Sequence, residues 1–420
     1  MKYPNYQIYN NFFDLDLYTI SMCLVVLNEF PRAYTKWGFF DRNNTVYPEG
    51  FGDALKEQIS NFVNVKPNKE ELNFIKRKLY YIPEWFINFL ESYRYDPSEV
   101  KINQDSEGHL NIEIEGLWWR TIFWEQPILE TISEMWHYSN GNLDKLSTDF
   151  VINDSFNKSK VLIDNKIKFA EFGCRRRASF KSHIDVLKGM CEARNTVENG
   201  KDFFIGTSDI HIAMIAEKEL KTNLSITGTM AHSYVTNIAA LYGPLEANSI
   251  AMDLWRKNYK GDLGIFLPDG LGWKGFSNNF SKENAKAFDG LRHDSGDEFY
   301  FTDKICEKYK ELGINPLHKT LIYSNGFTDI NKIIEVNKYA SNKINCSFGL
   351  GGFFTCNFLN KDGNKLFNGL NIVIKSIACK MTEKREYGNT VKIPFDLNKS
   401  IGDKETINIY LKLLNEITRL

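Results

Sequence analysis

Phe288-Asp-Gly-Leu291-Arg292-His293-Asp294-Ser295-Gly296-Asp297 is the stretch on which the reading of this chain turns. Its apolar lead-in, Phe288 and Leu291, reads as a short buried strand. The loop that follows packs a guanidinium, an imidazole, two carboxylates, a hydroxyl and a glycine into a few residues. A loop at the end of a strand can aim all of these at one small polar ligand. The carboxylates of Asp294 and Asp297 suit a hard cation such as Mg²⁺, which takes oxygen ligands from one or two carboxylates and substrate phosphates. In isolation the same residues also make a solvated turn.

Outward from this stretch the same grammar recurs. AEFG runs into CRRR (170–177), DFFIG into TSD (202–209), and LSITG into TMAHS (224–233). LGIFL runs into PDG (263–270), TLIYS into NGF (320–327), and INCSFGL into GGF (344–353). Helical stretches such as 179–194 and 328–342 lie between. Strand, polar loop and helix, repeated about seven times, predict a parallel α/β barrel of the TIM type. Ligands of such barrels bind among the loops after the strands. A doubly wound open sheet gives a similar pattern, but here polar clusters follow nearly every strand.

The N-terminal third reads differently. Residues 11–30 predict a helix with acidic residues in its first turn, and 34–42 a strand. A charged helical stretch begins at Asn68, and 110–116 alternates as a half-buried strand. Residues 116–138 read as a hinge into a long aromatic helix. The segment 371–381 is a further strand, expected to return to the N-terminal sheet. The resulting division is an N-terminal α/β (α+β) domain over 1–130, completed by 365–420, around a barrel at 131–364.

Composition narrows the function classes. The chain has 420 residues, 43% hydrophobic, with 52 basic against 53 acidic residues, a balance that recommends neither a nucleic-acid nor a membrane partner. The start of the chain lacks a signal-peptide pattern, and the longest apolar run, Tyr18 to Leu27, is too short to span a bilayer. Seven scattered cysteines without a CxxC pair fit a reducing cytoplasm better than a disulfide framework or a zinc module.

Three clusters point to phosphate chemistry. Arg175, Arg176 and Arg177 sit at a strand-to-helix junction, and their planar forks match phosphate. The SNG (324–326) and GLGGFF (349–354) loops bring backbone N–H groups close to an anion. His232 follows a strand and a Gly-Thr pair, where an imidazole can act as a nucleophile.

DLDLYTISM, EFGCRRRASF, GTSDIHIAM, GTMAHSYV, GDLGIF, FDGLRHDSGD, LIYSNGF and SFGLGGFFTCN together resemble the nicotinate phosphoribosyltransferase family, in order and spacing, from about Asp14 to Lys375. The resemblance implies an N-terminal α/β domain, an irregular α/β barrel and a homodimer with active sites at the subunit interface. It implies transfer of phosphoribose from 5-phosphoribosyl 1-diphosphate (PRPP) to nicotinate in NAD salvage, with Mg²⁺, and ATP coupled through a phosphohistidine at His232. Phe172 and Tyr18 would stack on the pyridine ring, Tyr18 from the partner subunit, with Asp16 beside it. Arg175 and Arg176 would contact phosphate or diphosphate. Arg292 and Asp294 would address ribose and substrate. Gly326, Gly351 and Gly352, with Asn325, would hold the 5′-phosphate, and Thr229 the nicotinate carboxylate.

Ser208 favours the acid over the amide, because nicotinamide-using relatives carry an aspartate there and a carboxylate would repel nicotinate. Cys174, Ser233 and Asn325 depart from the commonest family residues Thr, Glu and Asp. The alternatives are a nicotinamide phosphoribosyltransferase, disfavoured by Ser208, and a catalytically silent phosphoribosyl-binding barrel, motivated by Asn325. A dinucleotide-binding dehydrogenase is weaker, since GLGG lacks the context of that fingerprint.

Overall fold

Alternating apolar and polar residues build the first sheet. The computed structural model describes residues 3–415, and in it β1 (Tyr34–Asp41), β2 (Val100–Gln104) and β3 (Leu110–Leu117) pair antiparallel in the order β1-β3-β2. Ile112 and Ile114 of β3 are buried while Asn111, Glu113 and Glu115 face solvent.

The seven apolar runs of the later chain are the seven strands of a parallel sheet: β4 (Phe169–Glu171), β5 (Phe204–Thr207), β6 (Ser225–Ile226), β7 (Ile265–Phe266), β8 (Gly290–His293), β9 (Thr320–Tyr323) and β10 (Asn345–Leu350). Their order is β6-β5-β4-β10-β9-β8-β7. Because β10 pairs with both β4 and β9, the sheet curls round on itself. β6 and β7, two residues each, do not pair, so the sheet is a half-barrel with one open seam. The helix Leu17–Glu29 stands at that seam. Ser21 Oγ donates to Thr229 O at 2.5 Å, and Tyr259 Oη donates to Ser21 O at 2.7 Å. The Thr229 hydroxyl crosses the seam to Ile265 O at 2.6 Å.

β11 (Ile372–Lys380) and β12 (Gly388–Asn389) join the first sheet, giving β12-β11-β1-β3-β2. β11 runs antiparallel to β1 from Lys380 opposite Tyr34 to Ile372 opposite Asp41, with a bulge at Lys36/Trp37. Further along, Ile393 bonds the barrel loop after β7 from both its backbone groups, to Gly270 and Gly272. Two late basic residues, Lys375 and Lys392, thereby come to lie over the barrel's loops. No helix of the described residues is long and apolar enough to cross a membrane.

Two helix boundaries differ from the sequence expectation. The first helix begins at Leu17, not near residue 11, and has no acidic residue in its first turn. Asp14 and Asp16 are drawn into tertiary contacts instead. Both carboxylate oxygens of Asp14 accept from the buried Arg177 guanidinium, at 2.6 and 2.7 Å. The stretch 116–138 breaks into Trp118–Thr121 and Glu125–Ser139.

Candidate active site

The loops after β4, β8, β9 and β10, together with Asn43 and the segment 365–371, close round a cavity of about 430 Å³. Phe172, Arg175, Arg176, Arg292, Asp294, Gly326, Gly351 and Gly352 all line it. Two glycines are there because Phe172 lies against them. A Cβ on Gly349 would stand 2.5 Å from the Phe172 ring, and one on Gly351 would stand 2.6 Å from its carbonyl oxygen. Gly326 turns with φ +67°, a conformation other residues resist. Arg292 donates from Nε to Ser324 Oγ at 3.0 Å and from Nη2 to Asp294 Oδ1 at 3.0 Å. The Arg175 guanidinium lies 6.0 Å from the Tyr18 ring centroid and 3.4 Å from Glu125. A wall of guanidiniums and glycine turns of this kind binds a polyanion.

His232 opens the helix His232–Tyr242 and faces a second, narrow cleft lined also by Thr236, Lys375, Ser376, Thr390 and Lys392. Its Nε2 lies 2.7 Å from Asp269 Oδ1 and 3.6 Å from Asp294 Oδ2. Asp269 Oδ2 accepts from Ser295 Oγ at 2.7 Å and lies 3.4 Å from Lys392 Nζ. Burial pushes the imidazole down to about 4, against the upward pull of Asp269. Burial acts the other way on Asp269, yet His232, Lys392 and Ser295 hold it well below the usual carboxylate range. The pair is therefore a neutral imidazole on an ionised carboxylate at pH 7. Asp294 borders both spaces, one oxygen on Arg292 in the cavity and the other toward His232 and Lys392.

The remaining residues singled out in the sequence lie elsewhere. Ser208 is buried and its hydroxyl donates to Asp16 Oδ1 at 2.5 Å, not toward the cavity. Gln126 holds the other Asp16 oxygen at 2.6 Å. The Thr229 hydroxyl is taken by the barrel seam. Asn325 Nδ2 donates to Gly296 O and Glu298 Oε1. Asp297 caps the helix Glu298–Glu311, accepting from Tyr300 N–H at 2.7 Å. Of the two donor clusters among the described residues, the one at this site is His232, Asp269 and Asp294, with ligand atoms within 4.8 Å of one another, and it does not include Asp297.

Tyr18 is buried beside Arg175 of its own chain and is not among the residues that line the cavity. Arg177 anchors Asp14, Ile210 N–H donates to Leu15 O at 3.1 Å and Leu17 N–H to Ser208 O at 2.8 Å, so the segment threads into its own barrel. Asp269, Lys375 and Lys392 escaped the sequence reading. Asp269 stood in the PDG burst after β7, where a turn was the simpler explanation. Lys375 stood within the apolar run of β11, which is the one signal for it.

A parallel half-barrel whose strand-end loops join arginines, glycine turns and a buried His–Asp pair defines an enzyme that handles phosphorylated substrates. The N-terminal-domain model of the nicotinate phosphoribosyltransferase family matches residues 13–133, and the family's main model matches residues 167–407. A nicotinate phosphoribosyltransferase of Desulforapulum autotrophicum is 33% identical over 401 residues, covering 96% of this chain and 97% of that protein. One of Chromohalobacter salexigens is 33% identical over 407 residues, with 96% and 97% covered. The crystal structure of nicotinate phosphoribosyltransferase from Porphyromonas gingivalis superposes with a TM-score of 0.87 at 32% identity, covering 97% of this chain and 100% of that one. The chain belongs to the nicotinate phosphoribosyltransferase family.

Proposed function

We propose that this chain makes nicotinate mononucleotide and diphosphate from nicotinate and PRPP, and that ATP drives the reaction through a phosphate carried on His232. The observation that carries the second part is the 2.7 Å contact between His232 Nε2 and Asp269. It commits Nε2–H to the carboxylate and leaves the Nδ1 lone pair as nucleophile on a neutral ring. Nδ1 attacks the γ-phosphorus of ATP, the bond to the bridging oxygen breaks, and ADP leaves. Asp269 balances the charge that develops on the ring, and water later releases phosphate from it. The new group adds about -1.5 to -2 charges by analogy with other phosphorylated side chains, and Lys375 and Lys392 in the same cleft oppose them.

In the cavity the pyridine nitrogen attacks the ribose carbon, whose bond to diphosphate breaks. Phe172 and Tyr18 hold the ring, and Arg175 and Arg176 receive the leaving diphosphate. Asp294 couples the two spaces, because a phosphate on His232 changes the field at the carboxylate that holds Arg292. Among the described residues the neighbours of Asp294 Oδ2 are His232 Nε2 at 3.6 Å and Lys392 Nζ at 3.9 Å, which fits a cation held by one carboxylate and substrate phosphates. Mg²⁺ bound there would neutralise the diphosphate; Asp297, engaged as a helix cap, would take no part. Seven unpaired cysteines support a reducing, cytoplasmic setting.

The test is mononucleotide formation from PRPP and Mg²⁺, with nicotinate or nicotinamide, with and without ATP. Product from nicotinate that rises with ATP is the expected result. Product from nicotinamide alone contradicts the substrate. Ligand binding without product from either leaves a silent barrel.

A further inference from the structure

We propose that Asn325 is a positioning residue, an amide clasp that locks the loop after β9 to the loop after β8 through Glu298. Its effect on catalysis rests on the phosphoribosyl-transfer reading above; its geometry does not. Asn325 Nδ2 donates to Gly296 O at 3.0 Å and to Glu298 Oε1 at 2.9 Å. Both partners only accept, so the two amide hydrogens are the set that satisfies them, and the side chain has one orientation that fits.

The clasp sits where the two loops need it. On one side Gly296 follows Asp294 by two residues. On the other, Asn325 lies between Ser324, which donates to Asp294 Oδ1 at 2.9 Å, and Gly326, which lines the cavity. Glu298 is 8% exposed, and its second oxygen lies 3.8 Å from Lys332 Nζ on the helix Ile330–Ala340. Lys332 in turn stands 4.1 Å from the Phe299 ring centroid. The anchor of the clasp is thus fixed from the next element of the barrel. A side chain tied to two acceptors in this way sets loop position and does not bind ligand with those hydrogens. Asn325 therefore acts on PRPP through Asp294 and Gly326.

Asn325→Asp places a carboxylate against Glu298 and Gly296 O with no hydrogen to give. Hydrogen exchange of the 294–300 amides should quicken about tenfold, and the KM for PRPP should rise about tenfold with a smaller change in kcat. In the double variant N325D/E298Q the glutamine amide donates to the introduced carboxylate, and both quantities should return to within about threefold of the native chain. Asn325→Ala deletes the donors without adding charge and should shift both in the same direction by less. Unchanged exchange in N325D and N325A overturns the clasp. Faster exchange with an unmoved KM overturns its positioning role. A double variant as impaired as N325D overturns Glu298 as partner. A native chain that makes no nucleotide sinks the activity reading, while the exchange data still decide the clasp.

Discussion

The open cavity draws runs of neighbouring residues, such as Phe172 with Arg175 and Arg176 or Gly351 with Gly352, from several segments between Asn43 and Asn371, while the cleft at His232 takes single charged residues, Asp269, Lys375 and Lys392, from three. The contrast follows from what each space has to do. A polyanion is held by many weak, partly exposed donors, which successive loops can each contribute in short runs. A phosphoryl acceptor needs a dry, preorganised set of opposite charges, and only tertiary packing assembles that around one imidazole. Asp294 is the shared wall, and mutations away from it address one space at a time.

Asp269→Asn should break the cleft and spare the cavity. The ATP stimulation of nucleotide synthesis should fall about 100-fold, with ATP-independent synthesis close to native, because the imidazole loses its orienting charge. Rate measurements with and without ATP check this; equal losses in both would mean that the two spaces are one. Gly351→Ala is the converse. Its Cβ meets the Phe172 carbonyl and displaces the ring wall, so the KM values for nicotinate and PRPP should rise about tenfold while phosphorylation of His232 proceeds. The smallest effect belongs to neither space. Thr229→Val leaves Ile265 O without its donor across the seam and should cost about 1–2 kcal/mol in denaturant unfolding, with substrate affinities unchanged. A raised KM for nicotinate in that variant would return Thr229 to substrate binding.

All seven parallel strands were readable, because each is an apolar run cut off by a polar burst, a pattern set by local burial. The seam was not readable. β6 and β7 are two residues each, and the helix bonded to Thr229 beside them, through Ser21, comes from the far N-terminal part of the chain. The start of that helix was misplaced for a related reason. Asp14 and Asp16 look like helix N-terminal acids by position, yet Arg177, Ser208 and Gln126 outcompete the helix dipole for them. Within the site, Arg175, Arg292, Asp294 and the glycines came from motifs. Asp269 and Lys392 did not, since a carboxylate in a PDG turn and a lysine in a late loop take their meaning from His232. Ser208 and Asn325 were legible as site-region residues and misleading as to partner, because hydroxyl and amide direction is a tertiary property.

The most direct measurement is transfer of label from ATP labelled in its γ-phosphate, followed across pH in the native chain and in His232→Ala. A ring held at about 4 is unprotonated throughout the neutral range, so the predicted label is acid-labile and forms at a rate that stays flat from pH 8 to about 5.5. Protonation should cost rate only below that. His232→Ala should take up no label and keep slow ATP-independent synthesis. Label that persists in His232→Ala, or ATP stimulation without any labelled protein, would contradict the account.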